Sequence, residues 1–235
     1  MTRTLITGAN KGLGFETARR LIAAGHTVYV GARDAERGRR AADELGARFV
    51  QIDVTDDASV QAAAKTVEAD GGLDVLVNNA GIEVRGEDNS VPGAADVTAD
   101  QVRAVFDTNV LGVVRVTHAF LPLLRRSAAP VVVNLSSGLG SIGYVSNPEH
   151  PAHHYPGMTY AASKATVNML TAHYAKAFPA MRINAVAPGF AKTDLNGHTG
   201  MQSVEEAAEI IVRMAQVGPD GPTGGYFDTA GTLPW

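Results

Sequence analysis

The 235-residue chain has no cysteine. Disulfides, thiolate zinc centres and a cysteine nucleophile are therefore excluded, and the composition fits a reducing compartment. No apolar run reaches the roughly 18 residues of a membrane-spanning helix. The first residues, "MTRTLITGAN", open directly on a strand-like run with no signal sequence before it, so the expectation is a cytoplasmic protein with no membrane contact. Basic stripes are missing too. The densest, "ERGRR" at 36–40, is diluted by two acidic residues at 43–44, and the formal net charge is −4, which argues against a nucleic-acid partner. There is no internal repeat and no low-complexity tract.

What is present is an ordinary globular composition, 45% hydrophobic and 19% charged, with enough chain to bury a sizeable core. Short apolar or β-branched runs recur: "TRTLIT", "HTVYVGA", "RFVQIDV", "LDVLVNN", "PVVVNLS", "RINAVAP" and a last "GGYFD". The first six show little alternation, as expected of parallel strands covered by helices on both faces. Between them lie stretches such as "GFETARRLIAAG" and "AERGRRAADELG", with alanine, leucine and charge at helical spacing and glycine at the stop. The rhythm predicts an α/β fold, one doubly wound sheet of about seven mostly parallel strands with helices on both faces. A longer helical pattern covers residues 98–126. Two stretches break the rhythm, 82–97 and 138–157, the second holding Pro148, Pro151 and Pro156. Both follow strands on the side where ligands bind in open sheets.

The first strand is followed by "TGANKGLG", with Gly8, Gly12 and Gly14, and then by a helix. Glycines there allow a tight turn and close approach of backbone N–H groups to a pyrophosphate at a helix N-terminus. The second strand ends in Ala32 and Arg33, without the carboxylate that accepts from a ribose 2′-hydroxyl in NAD-binding units. With Arg33 and Lys11 available to pair with a 2′-phosphate, the site reads as built for NADP(H); the plainer alternative is two solvated surface cations. Asp53, closing the third strand, is either an acceptor for the adenine amino group or the cap of the next helix. "NNAG", at 78–81, reads as a turn bracing neighbouring strands whose backbone can also line the cleft.

"YAASK", at 160–164, puts a tyrosine and a lysine on one helical face. Carbonyl reduction needs a proton at oxygen as well as a hydride at carbon. A free tyrosine, with pKa about 10, is a poor base for the reverse reaction, and moving it three units takes roughly 4 kcal/mol. An ammonium about 5 Å away supplies about 3 kcal/mol at an effective dielectric near 20. Lys164 is therefore expected to lower the pKa of Tyr160. His150, His153 and His154 lie on a proline-broken loop with only Glu149 nearby. A substrate-facing lid carrying Tyr144, Tyr155 and the imidazoles is preferred over a metal site. Phe190 is placed on the opposite wall.

Together these motifs resemble the short-chain dehydrogenase/reductase family from end to end: "TGANKGLG", "NNAG", Asn109 in "FDTNVLG", "NLSS" ending the fifth strand, "YAASK", and "APGFAKT" after the sixth. The closing "GGYFDTAGTLPW" resembles carbonyl-reductase-like members. The resemblance implies a single Rossmann-type domain over 1–235, a nicotinamide cofactor, and a catalytic group of Asn109, Ser137, Tyr160 and Lys164, with Ser136 the alternative to Ser137. In it Ser137 donates to the substrate oxygen, Tyr160 is general acid and base, Lys164 also holds ribose hydroxyls, and Asn109 holds a water linking Lys164 to solvent. The implied cofactor contacts are Gly8, Asn10, Lys11, Gly12, Leu13 and Gly14 in the first turn, Arg33, then Asp53 and Val54. Asn79, Ala80 and Gly81 follow the fourth strand, and Pro188, Gly189 and Thr193 follow the sixth; Tyr160 and Lys164 complete the set. Ser137 and Tyr160 stand 23 positions apart, farther than in most members. The expected partner is a small-molecule carbonyl compound, with a homo-oligomer possible. A catalytically silent NADP(H) sensor is the rival reading.

Overall fold

The computed structural model describes residues 1–235. Seven strands form one parallel sheet: β1 (Arg3–Thr7), β2 (Thr27–Ala32), β3 (Arg48–Gln51), β4 (Val75–Asn78), β5 (Val131–Leu135), β6 (Arg182–Val186) and β7 (Tyr226–Phe227). Their order is β3-β2-β1-β4-β5-β6-β7, so the winding reverses between β1 and β4. Ligands of open sheets bind beyond the carboxyl ends of the strands at such a reversal.

Successive strand residues point to opposite faces, and both faces are buried. Leu5, Leu76 and Val132 turn to one side, where Val60 and Val67 of α3 (Asp57–Ala69) and Val116, Phe120 and Leu123 of α5 (Gly112–Leu124) cover them. Ile6, Val75, Val77, Val131 and Val133 turn to the other. There they meet Ala18 and Leu21 of α1 (Gly12–Ala23), Ala41 and Ala42 of α2 (Ala35–Leu45), and Ile210 and Ile211 of α8 (Val204–Ala215). Burying a Val, Leu or Ile side chain contributes about 1.5–3 kcal/mol, so the two clusters supply most of the folding drive. This double burial is why the strands read as unbroken apolar runs.

The helical pattern over 98–126 is realised in three pieces: α4 (Ala99–Phe106), a π-helical turn (Asp107–Leu111) and α5. Thr98 and Gln101 close α4 with reciprocal capping hydrogen bonds. The segment 138–157, read as an irregular loop, is more ordered than its prolines imply. It contains a 3-10 turn (Gly138–Gly140), α6 (Ile142–Val145) and a second 3-10 turn (Pro151–His154), and then enters α7 (Met158–Ala177). Asp53 is not a helix cap. Asp56 accepts from Ser59 N at 3.0 Å and takes that role for α3.

Candidate active site

The turn after β1 needs its glycines. Gly8 has φ 65°, in the left-handed region. A Cβ on Gly14 would sit 2.6 Å from Asn79 Nδ2 and 2.8 Å from Gly8 O. That crowding is a hydrogen-bonded joint: Asn79 Nδ2 donates to Thr7 O at 2.7 Å and to Gly8 O at 3.1 Å. Thr7 Oγ1 accepts from Asn79 N and Ala80 N, each at 3.0 Å. Asn78, one residue earlier, bonds Asn134 and Thr117 and braces β4 to β5 and α5. The first turn of α1 begins at Lys11 with no side chain capping its N–H groups, the arrangement that accepts an anion.

One cavity of about 1140 Å³ is lined by every one of the cofactor contacts named from the sequence, from Gly8 to Thr193, together with Ser137, Tyr160 and Lys164. It exceeds the roughly 300–1,000 Å³ of a small-ligand pocket, room for an extended cofactor with a substrate beside it. The residues present therefore fit a nicotinamide dinucleotide: a glycine turn without space for a Cβ, an uncapped helix N-terminus, and an exposed Arg33 that makes no ion pair. Lys11 differs from expectation, since it is paired with Asp194, which also meets His198 Nε2 at 2.8 Å. Asp53 accepts from Thr55 N and Oγ1 at 2.9 and 2.7 Å. Burial raises the Asp53 carboxyl, but those bonds and Arg33 outweigh it and leave the pKa below the usual carboxylate value.

Tyr160 and Lys164 come from the first turns of α7. Lys164 is 4% exposed; its Nζ donates to Leu135 O at 2.7 Å and lies 5.3 Å from the centre of the Tyr160 ring. Burial pushes the ammonium pKa down to about 8. The expected lowering of Tyr160 is not found. Burial first, then the Glu83 carboxylate, hold its phenol above the ordinary value, and the Ser137 hydroxyl beside it acts in the opposite direction. Desolvation disfavours the charged form of each group, raising the phenol and lowering the ammonium.

The two serines separate clearly. Both line the cavity, but Ser136 is buried and its Oγ donates to Lys164 O at 3.3 Å, whereas Ser137 is half-buried with its hydroxyl beside Tyr160. Asn109 sits behind the cavity wall, inside the π turn. Its Nδ2 donates to Ile82 O at 2.9 Å and Ser163 Oγ at 3.1 Å, and its Oδ1 accepts from Ile82 N at 2.8 Å. The side chain thus clamps the chain after "NNAG" to α7. Such π turns recur at functional positions in helices.

The extended segment brings to the cavity none of the imidazoles and only one of the two phenols that the sequence implied. Tyr144 stacks on His150 at 3.9 Å between centroids and His153 Nδ1 bonds Val145 O at 2.8 Å; none of Tyr144, His150, His153 and His154 lines the cavity. Pro151, Ala152 and Tyr155 do, with Phe190 on the opposite wall as expected. Sequence reasoning missed what Tyr155 binds. Its hydroxyl donates to Glu83, a side chain 4% exposed and paired with Arg85 at 2.6 Å. Arg85 also donates to Leu195 O and Asn89 O, each at 3.0 Å, so three loops meet at one buried ion pair. Nothing but closeness to "NNAG" could have drawn attention to Glu83.

A nucleotide-type cradle and a helical Tyr–Lys pair open on one cleft at the sheet reversal, which is the architecture of a Rossmann-type oxidoreductase. The sequence matches the family described as short chain dehydrogenase over residues 2–203, and the chain belongs to that family of nicotinamide-dependent oxidoreductases. It is 40% identical to a short-chain dehydrogenase of Penicillium roqueforti, over 97% of this chain and 94% of that one. It is 32% identical to (-)-isopiperitenone reductase of Mentha piperita, over 95% of each. Among solved structures, NADPH-bound carbonyl reductase from chicken fatty liver superposes with a TM-score of 0.86 at 26% identity, over 100% of this chain and 99% of that one. Members of the family act on small molecules, and no helix of this chain is long and apolar enough to cross a membrane.

Proposed function

We propose that the protein is an NADPH-dependent reductase of ketones or aldehydes, with Tyr160 as the proton donor. The observation that carries this reading is the convergence of Ser137, Tyr160, Lys164 and the glycine cradle on one cavity. A nicotinamide held by the glycine cradle and Lys164 would supply the hydride needed at the carbonyl carbon. Ser137 donates a hydrogen bond to the substrate oxygen and Tyr160 delivers the proton there. A phenol held above its ordinary pKa keeps its proton at neutral pH, which suits an acid in the reducing direction. Lys164, with a pKa near 8, carries its proton through most of that range and faces the ring. Asn109 fixes the wall between "NNAG" and α7.

The choice of NADPH over NADH rests on Ala32 and the unpaired Arg33 at the end of β2; the NADPH of the chicken carbonyl reductase points the same way. The experiment is NADPH consumption by the purified protein against ketones, aldehydes and quinones, with Tyr160→Phe run beside it. Turnover lost by about 100-fold or more in the variant, with NADPH binding retained, supports the reading. Binding of NADPH with no turnover of any carbonyl compound replaces it with a silent sensor.

A further inference from the structure

Tyr226 is the first residue of β7 and is completely buried. A phenol in an apolar layer requires a partner, and this one donates to the carbonyl oxygen of Ser137. The same carbonyl accepts Gly140 N at 2.7 Å, so both of its lone pairs are used. Ser137 lies just past the end of β5. The last ladder bond on that side is Ser136 N to Val186 O at 2.8 Å, and beyond it the backbone has left the sheet. The Ser137 carbonyl is thus set by a short 3-10 turn and by Tyr226, a residue 89 positions away.

The donor itself is held firmly. The Tyr226 ring stacks on Trp235 at 5.6 Å between centroids and packs with Ala185, Ala187 and Leu233, while its carbonyl accepts Leu233 N at 2.8 Å. Burial pushes its pKa up to about 12, so the proton needed for donation stays in place at working pH. The phosphate cradle makes no use of this side chain, and it forms no hydrogen bond to Tyr160 or Lys164.

We propose that Tyr226 is a positioning residue for Ser137: its hydroxyl fixes the peptide that carries the serine, and so aims the serine hydroxyl at the substrate oxygen. The proposal rests on Ser137 being the donor to that oxygen. Small displacements of a group that must meet a reacting atom are expensive in rate, which is why a bond one peptide removed from the hydroxyl matters.

The test is a double-mutant cycle of Tyr226→Phe and Ser137→Ala on the full chain, reading kcat, KM for the carbonyl compound and the dissociation constant of NADPH. The serine variants are measured in single turnover with enzyme in excess. Tyr226→Phe is expected to lower kcat about tenfold with NADPH binding unchanged, and to do nothing further once Ser137 is alanine. An equal loss in both backgrounds, or no loss in either, overturns the proposal and leaves the serine reading intact. Full turnover by Ser137→Ala alone removes the serine reading, and this proposal with it. If Tyr226→Phe does not fold, Trp235→Ala takes its place, unpacking the ring while keeping the hydroxyl. A loss of kcat confined to the Ser137 background supports the proposal, and a loss independent of Ser137 overturns it.

Discussion

Glu83 and Tyr160 line the same cavity, and the Glu83 carboxylate acts with burial to hold the Tyr160 phenol above its ordinary pKa. In the proposed mechanism reduction uses the protonated phenol, so its rate should fall as pH rises through the phenol pKa, and oxidation, using the phenolate, should gain over the same interval. Glu83→Gln removes a negative charge and lowers that pKa. Both limbs should then move to lower pH, seen in kcat/KM profiles run in the two directions. Unmoved profiles would show that burial alone sets the phenol.

Lys164 carries a different linkage. Its folded-state pKa is near 8 against an ordinary 10.5, so the folded protein binds fewer protons than the unfolded chain between those values. Stability from this group therefore rises with pH across that window, by about 3 kcal/mol in all. In Lys164→Met the rise is absent. Denaturant unfolding at pH 7.5 and 10.5 should show the variant losing ground to the parent by that order as pH increases, while its turnover is lost at every pH.

Arg33 makes no ion pair, whereas Lys11 is engaged by Asp194. A charge-assisted bond to a 2′-phosphate is worth about 1.5–3 kcal/mol. Arg33→Ala is expected to weaken NADPH binding by roughly 10- to 100-fold and leave NADH nearly unchanged, measured by fluorescence titration. Lys11→Ala should do less, because forming its phosphate contact means giving up Asp194. A parent protein that binds both cofactors equally would remove the 2′-phosphate reading.

Tyr155 ties the extended segment to the Glu83–Arg85 pair. Tyr155→Phe, or trimming residues 146–155, should change KM across a series of carbonyl compounds of increasing size more than it changes NADPH affinity. The reverse pattern would make the segment a structural brace rather than a substrate wall.

The βαβ rhythm was legible because a parallel sheet buried on both faces leaves continuous apolar runs, and Leu5–Ile6 and Val75–Leu76 each serve two opposite core layers. The glycine turn, "NNAG" and "YAASK" were legible because close backbone approach and a shared helical face restrict residue type at fixed spacing. Other features depend on tertiary partners. Asp53 and Asp56 offer the same cap chemistry three residues apart, and only the helix start decides between them. The direction of the Tyr160 shift differs from expectation because the burial that sets it is a property of packing, not of the Tyr–Lys spacing. Glu83, Arg85 and Tyr226 meet partners across loops or across 89 positions of chain, a distance over which residue patterns carry no signal.

The π turn at Asp107–Leu111 has one more consequence. It is a helix with one residue too many, so α4 and α5 follow each other without a break but out of phase by about 100°. A single helical wheel drawn through 98–126 therefore assigns wrong faces on one side of Asn109. Deleting one residue of 107–111 other than Asn109 would heal the helix into regular turns. The repaired helix could keep Val116 and Phe120 in the core or Asn109 on Ile82 and Ser163, but not both. The spare residue is what lets one continuous helix serve the core and the cleft together.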